Sequence, residues 1–368
     1  MAIPTTVTLD MTIKTISTSS VFSPALSRKA LLAAISLLTL ALFFAELTVG
    51  SVAIPLAAVW EAVLTGTTEV NAAWANIILE FRLPRALNAL FSGAALGVAG
   101  LMLQTLFRNP LADPYVLGIV HGARLACALL VTLTGVVGNA FLLRYGLIGD
   151  IGLAVASILG SCAILGLLAL LSRRVGVVTL LIMGLMIGYF SVGLISMLMH
   201  FIDENQAQAF KIWNDASFAG ATDQQLQILI PCVIVGLIAS IALIKPLNSL
   251  LLGENYAASM GVAVGRVKAI TLMVIGLLCG VVTAFCGPVA FLGLVAAQLA
   301  RAFMRSADHR ILLPAAGLIG ATLGLAADWV VHMPWSRHVF HLNAVIGLVG
   351  APIALYMLYR TKALHHSS

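Results

Sequence analysis

Charged side chains are scarce in this sequence. Asp, Glu, Lys and Arg together make up 9% of 368 residues, against about 25% in ordinary soluble domains. That leaves too little polar material to coat a soluble particle of this size. Strand-like alternation of apolar and polar residues is missing too, which excludes a membrane β-barrel. No Gly-x-x-x-x-Gly-Lys-Ser/Thr loop occurs, so ATP hydrolysis of the P-loop kind is excluded for this chain. The five cysteines (Cys127, Cys162, Cys232, Cys279 and Cys286) are scattered through apolar runs. None forms a close pair with metal-ligand spacing, so neither a disulfide framework nor a metal site is expected. Paired carboxylates, His-rich spacings and nucleophile–base arrangements are also lacking, and the chain is not expected to be an enzyme.

Apolar residues dominate instead: 61% of the chain is hydrophobic and the mean hydropathy is +1.07. A spanning helix needs roughly 20 apolar residues, and about ten such segments fit once the polar loops are removed. They fall near 30–50, 85–107, 114–136, 146–171, 178–200, 227–245, 266–285, 288–304, 311–332 and 341–359. The fold class expected is an all-α polytopic membrane protein with both termini on one side. Residues 1–28 read as a flexible cytoplasmic leader without a signal-peptide pattern. Residues 29–360 form one transmembrane domain, and 361–368 a cytoplasmic tail.

Basic residues set the orientation. With the N-terminus inside, the inner segments carry Lys14, Arg28, Lys29, Arg108, Arg173, Arg174, Lys245, Arg266, Lys268, Arg301, Arg305, Arg310, Arg360 and Lys362. The outer ones carry Arg82, Arg85, Arg144, Lys211 and Arg337. The net charge of +6 therefore reflects basic inner loops facing lipid, not nucleic acid.

Three loops are long. The outer segment 51–84 holds a run, Leu56–Leu64, suited to a short interfacial helix, and the outer segment 201–226 carries Lys211 and Trp213. The inner segment 246–265 is amphipathic and helix-forming but too polar to span. Between the second and third segments lies Gln104–Gly118, a polar hinge broken by Pro110 and Pro114. Proline removes a backbone donor and ends a helix, so a tight turn is expected there. Glycine spacing around Gly93–Gly118 and Gly276–Arg301 fits either a weak internal repeat or close helix packing.

Several motifs occur in a fixed order. They are Arg82-Leu-Pro-Arg85; Arg108-Asn-Pro-Leu-Ala-Asp-Pro114 with Leu117-Gly118-Ile119; Leu252-Gly253-Glu254 with Ala258-Ser259-Met260-Gly261-Val262; Gly287-Pro288 with Gly293-Leu294; Asp308-His309-Arg310 with Leu313-Pro314; and Gly350-Ala351-Pro352. Together they resemble the FecCD-type permeases, membrane subunits of ABC importers for vitamin B12, ferric siderophores and haem. The resemblance covers roughly residues 30–360. It implies a vitamin-B12-permease-like fold of ten helices, working as a homodimer in the bacterial inner membrane. Two cytoplasmic ATPases would bind ATP and Mg, no cofactor being held by this chain, and a periplasmic or lipoprotein binding protein would deliver the cargo. The cargo would be an iron complex (ferric siderophore or haem) or cobalamin, moved by alternating access.

The resemblance also implies roles for residues. Leu252, Gly253, Glu254, Ala258, Ser259, Met260 and Gly261 would contact the ATPase, an interfacial helix on lipid being the simpler reading. Arg82, Arg85 and Arg337 would dock acidic residues of the binding protein, the simpler reading being snorkelling at helix ends. Asn109, Leu111, Gly176, Val177 and Val178 would form cytoplasmic gates, Asn109 also capping its turn.

His121 and Arg124 depart from the family pattern, which has small residues there. They sit at i and i+3, so they share a face and could meet an anionic cargo on the pathway; snorkelling to the nearby interface is the alternative. Ala297-Gln298 departs too, where the family often has Pro-His. His332, His338 and His341, near Met333 and Trp335, read as interface residues, with a haem or metal contact as the alternative. Asp328 is expected to find a partner on another helix. The rival to an ATP-driven importer is an ion-driven secondary transporter, which usually needs intramembrane acids. The acids here, Glu46 and Asp328, both lie near span ends.

Overall fold

The structure is a computed structural model, and it describes residues 27–50, 52–68, 71–137, 147–172, 174–175, 177–202, 204–333 and 340–366. Every regular element among them is helical. In chain order these are α1 (Arg28–Thr48), α2 (Leu56–Thr65), α3 (Ala72–Asn76), α4 (Leu83–Leu106), α5 (Ile119–Val137), α6 (Leu147–Leu171), α7 (Val177–Leu198), α8 (Glu204–Asn214) and α9 (Asp223–Ala242). There follow α10 (Ile244–Leu251), α11 (Glu254–Ser259), α12 (Val264–Cys286), α13 (Leu292–Met304), α14 (His309–His332) and α15 (Leu342–His366). Among the described residues, seven helical stretches are long and apolar enough to cross a membrane. The three remaining expected spans coincide with the shorter apolar helices α5, α13 and α15. The expected interfacial helix is α2. The last helix runs on to His366, through residues read from the sequence as a tail.

α4 is the centre of the bundle. Its apolar residues are buried nearly all round (Leu96, Ala99, Leu101, Met102 and Leu103 among them), as expected of a helix walled in by protein. α14 lies along it through glycines. A Cβ on Gly93 or Gly97 would overlap the carbonyl oxygens of Gly320 and Ala316, and one on Gly320 would overlap that of Gly93. α13 crosses α4 at Gly100 and Gly293 in the same way. Small residues of this kind let helix backbones touch in a membrane, where apolar side chains gain nothing over lipid tails. On the flank, Gly276 and Gly280 of α12 meet Cys162 and Ile158 of α6. The glycine rhythm is used here for packing.

Two departures from the sequence reading have clear causes. First, the helix of the second span does not begin near residue 85. The helix starts at Ala72 and passes through a π-helical turn, Ile77–Arg82, into α4. Pro84 lacks an N–H and its ring crowds the carbonyl four residues back; the wider turn, with Leu83 N–H bonded to Ile78 O, accommodates it. Second, the eighth span is not helical from residue 288. Residues 287–290 are buried but irregular, Phe291 has φ +62°, and α13 starts at Leu292. Such backbone survives at membrane depth only when protein satisfies it. Asn343 does so from α15: its Nδ2 donates to Pro288 O (2.8 Å) and its Oδ1 accepts from Ala290 N–H (2.9 Å).

Candidate functional site

The hinge 107–118, the short helices α10 and α11, and the start of α14 gather at one end of the bundle. The hinge is a packed turn, with Ala112, Asp113 and Leu117 buried. Asn109 Oδ1 accepts from Leu111 N–H (3.0 Å), so Asn109 caps its turn as expected. Asp113 does two jobs. Oδ2 accepts from Tyr115 N–H (3.0 Å), closing the turn, and Oδ1 accepts from Leu294 N–H (3.1 Å) in the first turn of α13. An anion at a helix N-terminus is favourable. Burial raises the Asp113 carboxyl to about 6, against the N–H bonds of Tyr115, Val116 and Leu294 that lower it. At neutral pH it is therefore mostly the carboxylate that holds α13 to the hinge. Gln298 and Arg301, further along α13, bond Pro110 O and Gln104 Oε1. Gln298 thus has a role of its own where the family often has histidine.

The segment expected to be one amphipathic helix is two. α10 ends at Leu251, the chain turns at Gly253 (φ +119°), and α11 runs to Ser259 before a second turn at Gly261 (φ +83°). Only glycine takes these conformations cheaply. α10 buries Leu247 and Leu250, whereas Leu251, Leu252, Tyr256 and Met260 are exposed together with Glu254, Ala258 and Ser259. Leu250, two residues before the exposed Leu252, is in the core. Glu254 pairs with Lys268 at 2.7 Å, a surface contact worth little on its own.

A polar network braces this segment against the bundle. Arg108, held at φ +47°, donates to Leu250 O (3.0 Å). Asn248 donates through Nδ2 to Asp308 Oδ1 (2.6 Å) and accepts through Oδ1 from His309 N–H (2.9 Å). His309 Nδ1 lies 2.8 Å from the same oxygen, and Nε2 lies 2.9 Å from Thr105 Oγ1 on α4. Because that Asn248 atom accepts the backbone N–H, it is the oxygen, so His309 Nδ1 carries a proton. Nε2 faces the Thr105 hydroxyl, which also reaches Leu101 O (2.9 Å) one turn back in α4. One side chain on α10 is in this way linked through His309 to α14 and α4. Asn248→Leu is expected to leave the buried imidazole without its partner, at about 1–3 kcal/mol per orphaned group, read as a lower melting temperature of the purified protein. The sequence marked Asp308-His309-Arg310 as a motif but gave no sign of Asn248.

The other expected site residues are placed differently. Arg82 and Arg85 are not free at a mouth. Arg82 is 5% exposed and donates to Leu47 O (2.8 Å) and to Val52 O. Arg85 lies 3.2 Å from Glu46 and 3.0 Å from Asp328, which also meets His332. Both guanidinium groups are committed inside the chain, and docking by these two is not what this geometry supports. Arg337, Gly176, His338 and Trp335 fall outside the described residues. Val177 opens α7, Val178 beside it is exposed and Leu111 is half-buried. His121 and Arg124 lie on α5, His121 where Gly188 of α7 approaches it. The cysteines are free thiols, Cys127, Cys279 and Cys286 buried.

The described residues thus form a many-helix bundle of membrane-spanning length with an exposed, braced pair of short helices at one end. The chain belongs to the FecCD transport family, whose model matches residues 38–360. It is 33% identical over 302 residues to the hemin transport system permease HmuU of Yersinia pestis, covering 80% of this chain and 86% of that one. It is 34% identical over 318 residues to the ferric enterobactin permease FepD of Escherichia coli, covering 86% and 90%. With the vitamin B12 import permease BtuC of Klebsiella pneumoniae it shares 31% over 287 residues, covering 77% and 83%. A solved structure of a transporter assigned to the metal-chelate ABC type, in an inward-facing conformation, superposes with a TM-score of 0.73 at 26% identity, covering 90% of this chain and 99% of that one. The chain is accordingly a multi-pass permease subunit of the ABC importer class and not itself an enzyme; ATP hydrolysis belongs to a separate partner.

Proposed function

We propose that the protein is the permease of a bacterial inner-membrane importer that moves an iron complex, ferric siderophore or haem, or else a cobalamin. It would work as a homodimer with its termini in the cytoplasm, two ATPases below and a substrate-binding protein above. The observation that carries this reading is the segment Ile244–Gly261. It presents Leu251, Leu252, Tyr256 and Met260 outward around Glu254, while Arg108, Asn248 and His309 tie its other face to α4 and α14. An apolar patch with one acid suits a groove on a soluble partner, and a braced patch transmits a push. Asn109 and Leu111 of the hinge, with Gly176, Val177 and Val178 before and at the start of α7, would close the path on the same side. Arg337 remains the candidate for docking the binding protein.

The test is uptake by proteoliposomes holding this chain with the ATPase and binding protein encoded beside it. Haemin, a ferric siderophore and cyanocobalamin would each be offered. ATP-dependent uptake of one cargo is expected. Leu252→Arg, an exposed change, should cut it at least tenfold and release the ATPase on purification, with the permease's melting temperature unchanged. Uptake indifferent to ATP and to this substitution would sink the reading and favour the ion-driven rival.

A further inference from the structure

Arg124 is a buried cation without an anion. It is 8% exposed, its Nε has no hydrogen-bond partner, and no carboxylate among the described residues is in ion-pair range of it. A guanidinium does not shed its proton to escape burial, so this charge is costly unless something supplies the opposite one. The nearest acid in sequence, Asp113, has both carboxylate oxygens engaged by Leu294 and Tyr115 N–H groups.

The surroundings are built rather than accidental. His121 stands one turn before Arg124, and its Nδ1 is likewise buried and unbonded. Its ring meets that of Tyr115 edge-on, with centroids 4.8 Å apart. α7 is brought against this corner by glycines: a Cβ on Gly184 would come within 2.9 Å of Leu117 Cα, and one on Gly188 within 3.4 Å of His121 Nδ1. Two unmatched polar groups on α5, His121 and Arg124, therefore stand one turn apart beside Tyr115, and the only charge between them is positive.

We propose that Tyr115, His121 and Arg124 form an anion-recognition site that takes a carboxylate of the transported cargo. The inference rests on the importer reading and narrows it to carboxylate-bearing iron chelates, haem with its propionates included. A guanidinium presents paired N–H groups that match the two oxygens of a carboxylate, and the phenol and imidazole add neutral hydrogen-bonding groups beside it. With cargo bound the buried charge is compensated; without it the site is strained by its own charge. Arg124 is thus a cost to the empty protein that only a ligand removes.

That last point separates recognition from a structural role. In the reconstituted importer, Arg124→Gln should lower uptake of ferric citrate or haemin at least tenfold. Arg124→Lys, which keeps the charge, should retain part of it. In the purified permease without cargo, Arg124→Gln should melt at a higher temperature than the native chain. Ferric citrate should raise the melting temperature of the native permease and not that of the Gln variant. Unchanged uptake in Arg124→Gln, or a Gln variant that melts lower than the native chain, would overturn the proposal. So would stabilisation of the native chain by phosphatidylglycerol but not by ferric citrate, since the anion would then be a lipid phosphate. ATP-driven uptake of cyanocobalamin alone would overturn this inference and leave the importer reading standing. No ATP-driven uptake of any cargo would remove both.

Discussion

Gly320→Val is expected to yield almost no folded protein, the largest loss of any single substitution considered for this chain. A Cβ at position 320 would overlap the carbonyl oxygen of Gly93, and from the other side a Cβ at Gly93 would overlap that of Gly320. At Gly324 the added carbon would stand 2.5 Å from Ala89 O. The obstacles are backbone atoms of the central helix, so no side chain can swing aside. Overpacking a core costs typically 1–3 kcal/mol when side chains adjust. Here two helices must separate, and the cost should exceed about 3 kcal/mol, a large part of a stability on the order of 5–15 kcal/mol. Separation would also break the Thr39–Thr322 hydroxyl contact (2.7 Å) that holds α1 to α14. Size-exclusion profiles and thermal melts of detergent-solubilised protein read this directly. Gly166→Ala and Gly193→Ala serve as controls, because nothing lies within 4 Å of a Cβ there; in a helix interior that change is neutral or slightly favourable. A Gly320→Val protein that purified and melted like the native chain would contradict the packing of α4 on α14.

The same contact shows what the sequence made legible. The glycines of Gly93–Gly118 offered close packing as one of two readings, and the prolines at 110 and 114 announced the hinge, because both effects act through local backbone. Apolar length announced the spans for the same reason. What escaped was settled by partners far along the chain. The start of α13 depends on Asn343, which satisfies residues 288 and 290 from another helix. The brace of α10 depends on Asn248 meeting His309. Of the site residues, the exposed Leu252, Glu254 and Met260 were legible from amphipathicity, whereas the burial of Leu250 was not. The burial of Arg82 and the pairing of Arg85 were not legible because charge at the end of an apolar run usually means an interface, and nothing local announces that the segment after α1 folds back onto Arg82.

Arg85→Met is the second large effect, and it decides between the two roles of this arginine. Arg85 Nη2 lies 3.2 Å from Glu46 Oε2 and Nε lies 3.0 Å from Asp328 Oδ2; the two carboxylates are 0% and 1% exposed. His332 Nδ1 is 3.3 Å from Asp328 Oδ2. Removing the guanidinium leaves two buried acids facing each other, and breaking a buried pair from one side costs about 3–5 kcal/mol. The acids, however, already outnumber the arginine between them. Glu46 Oε1 and Asp328 Oδ1 have no hydrogen-bond partner, as expected of a site with one carboxylate too many. Glu46→Gln should therefore be close to neutral in the native background, since it removes one of two facing acids and keeps the shape. In the Arg85→Met background the same change should recover part of the lost stability, because only one buried acid then remains. Such non-additivity is what residues sharing one network give. Thermal melts of the two single variants and the double variant check it. A docking arginine would behave otherwise: Arg85→Met would weaken association with the binding protein, leave the melting temperature of the isolated permease unchanged, and show no rescue by Glu46→Gln. That result would return Arg85 to the surface role its position in the sequence suggested and would refute the buried cluster joining α1, α4 and α14.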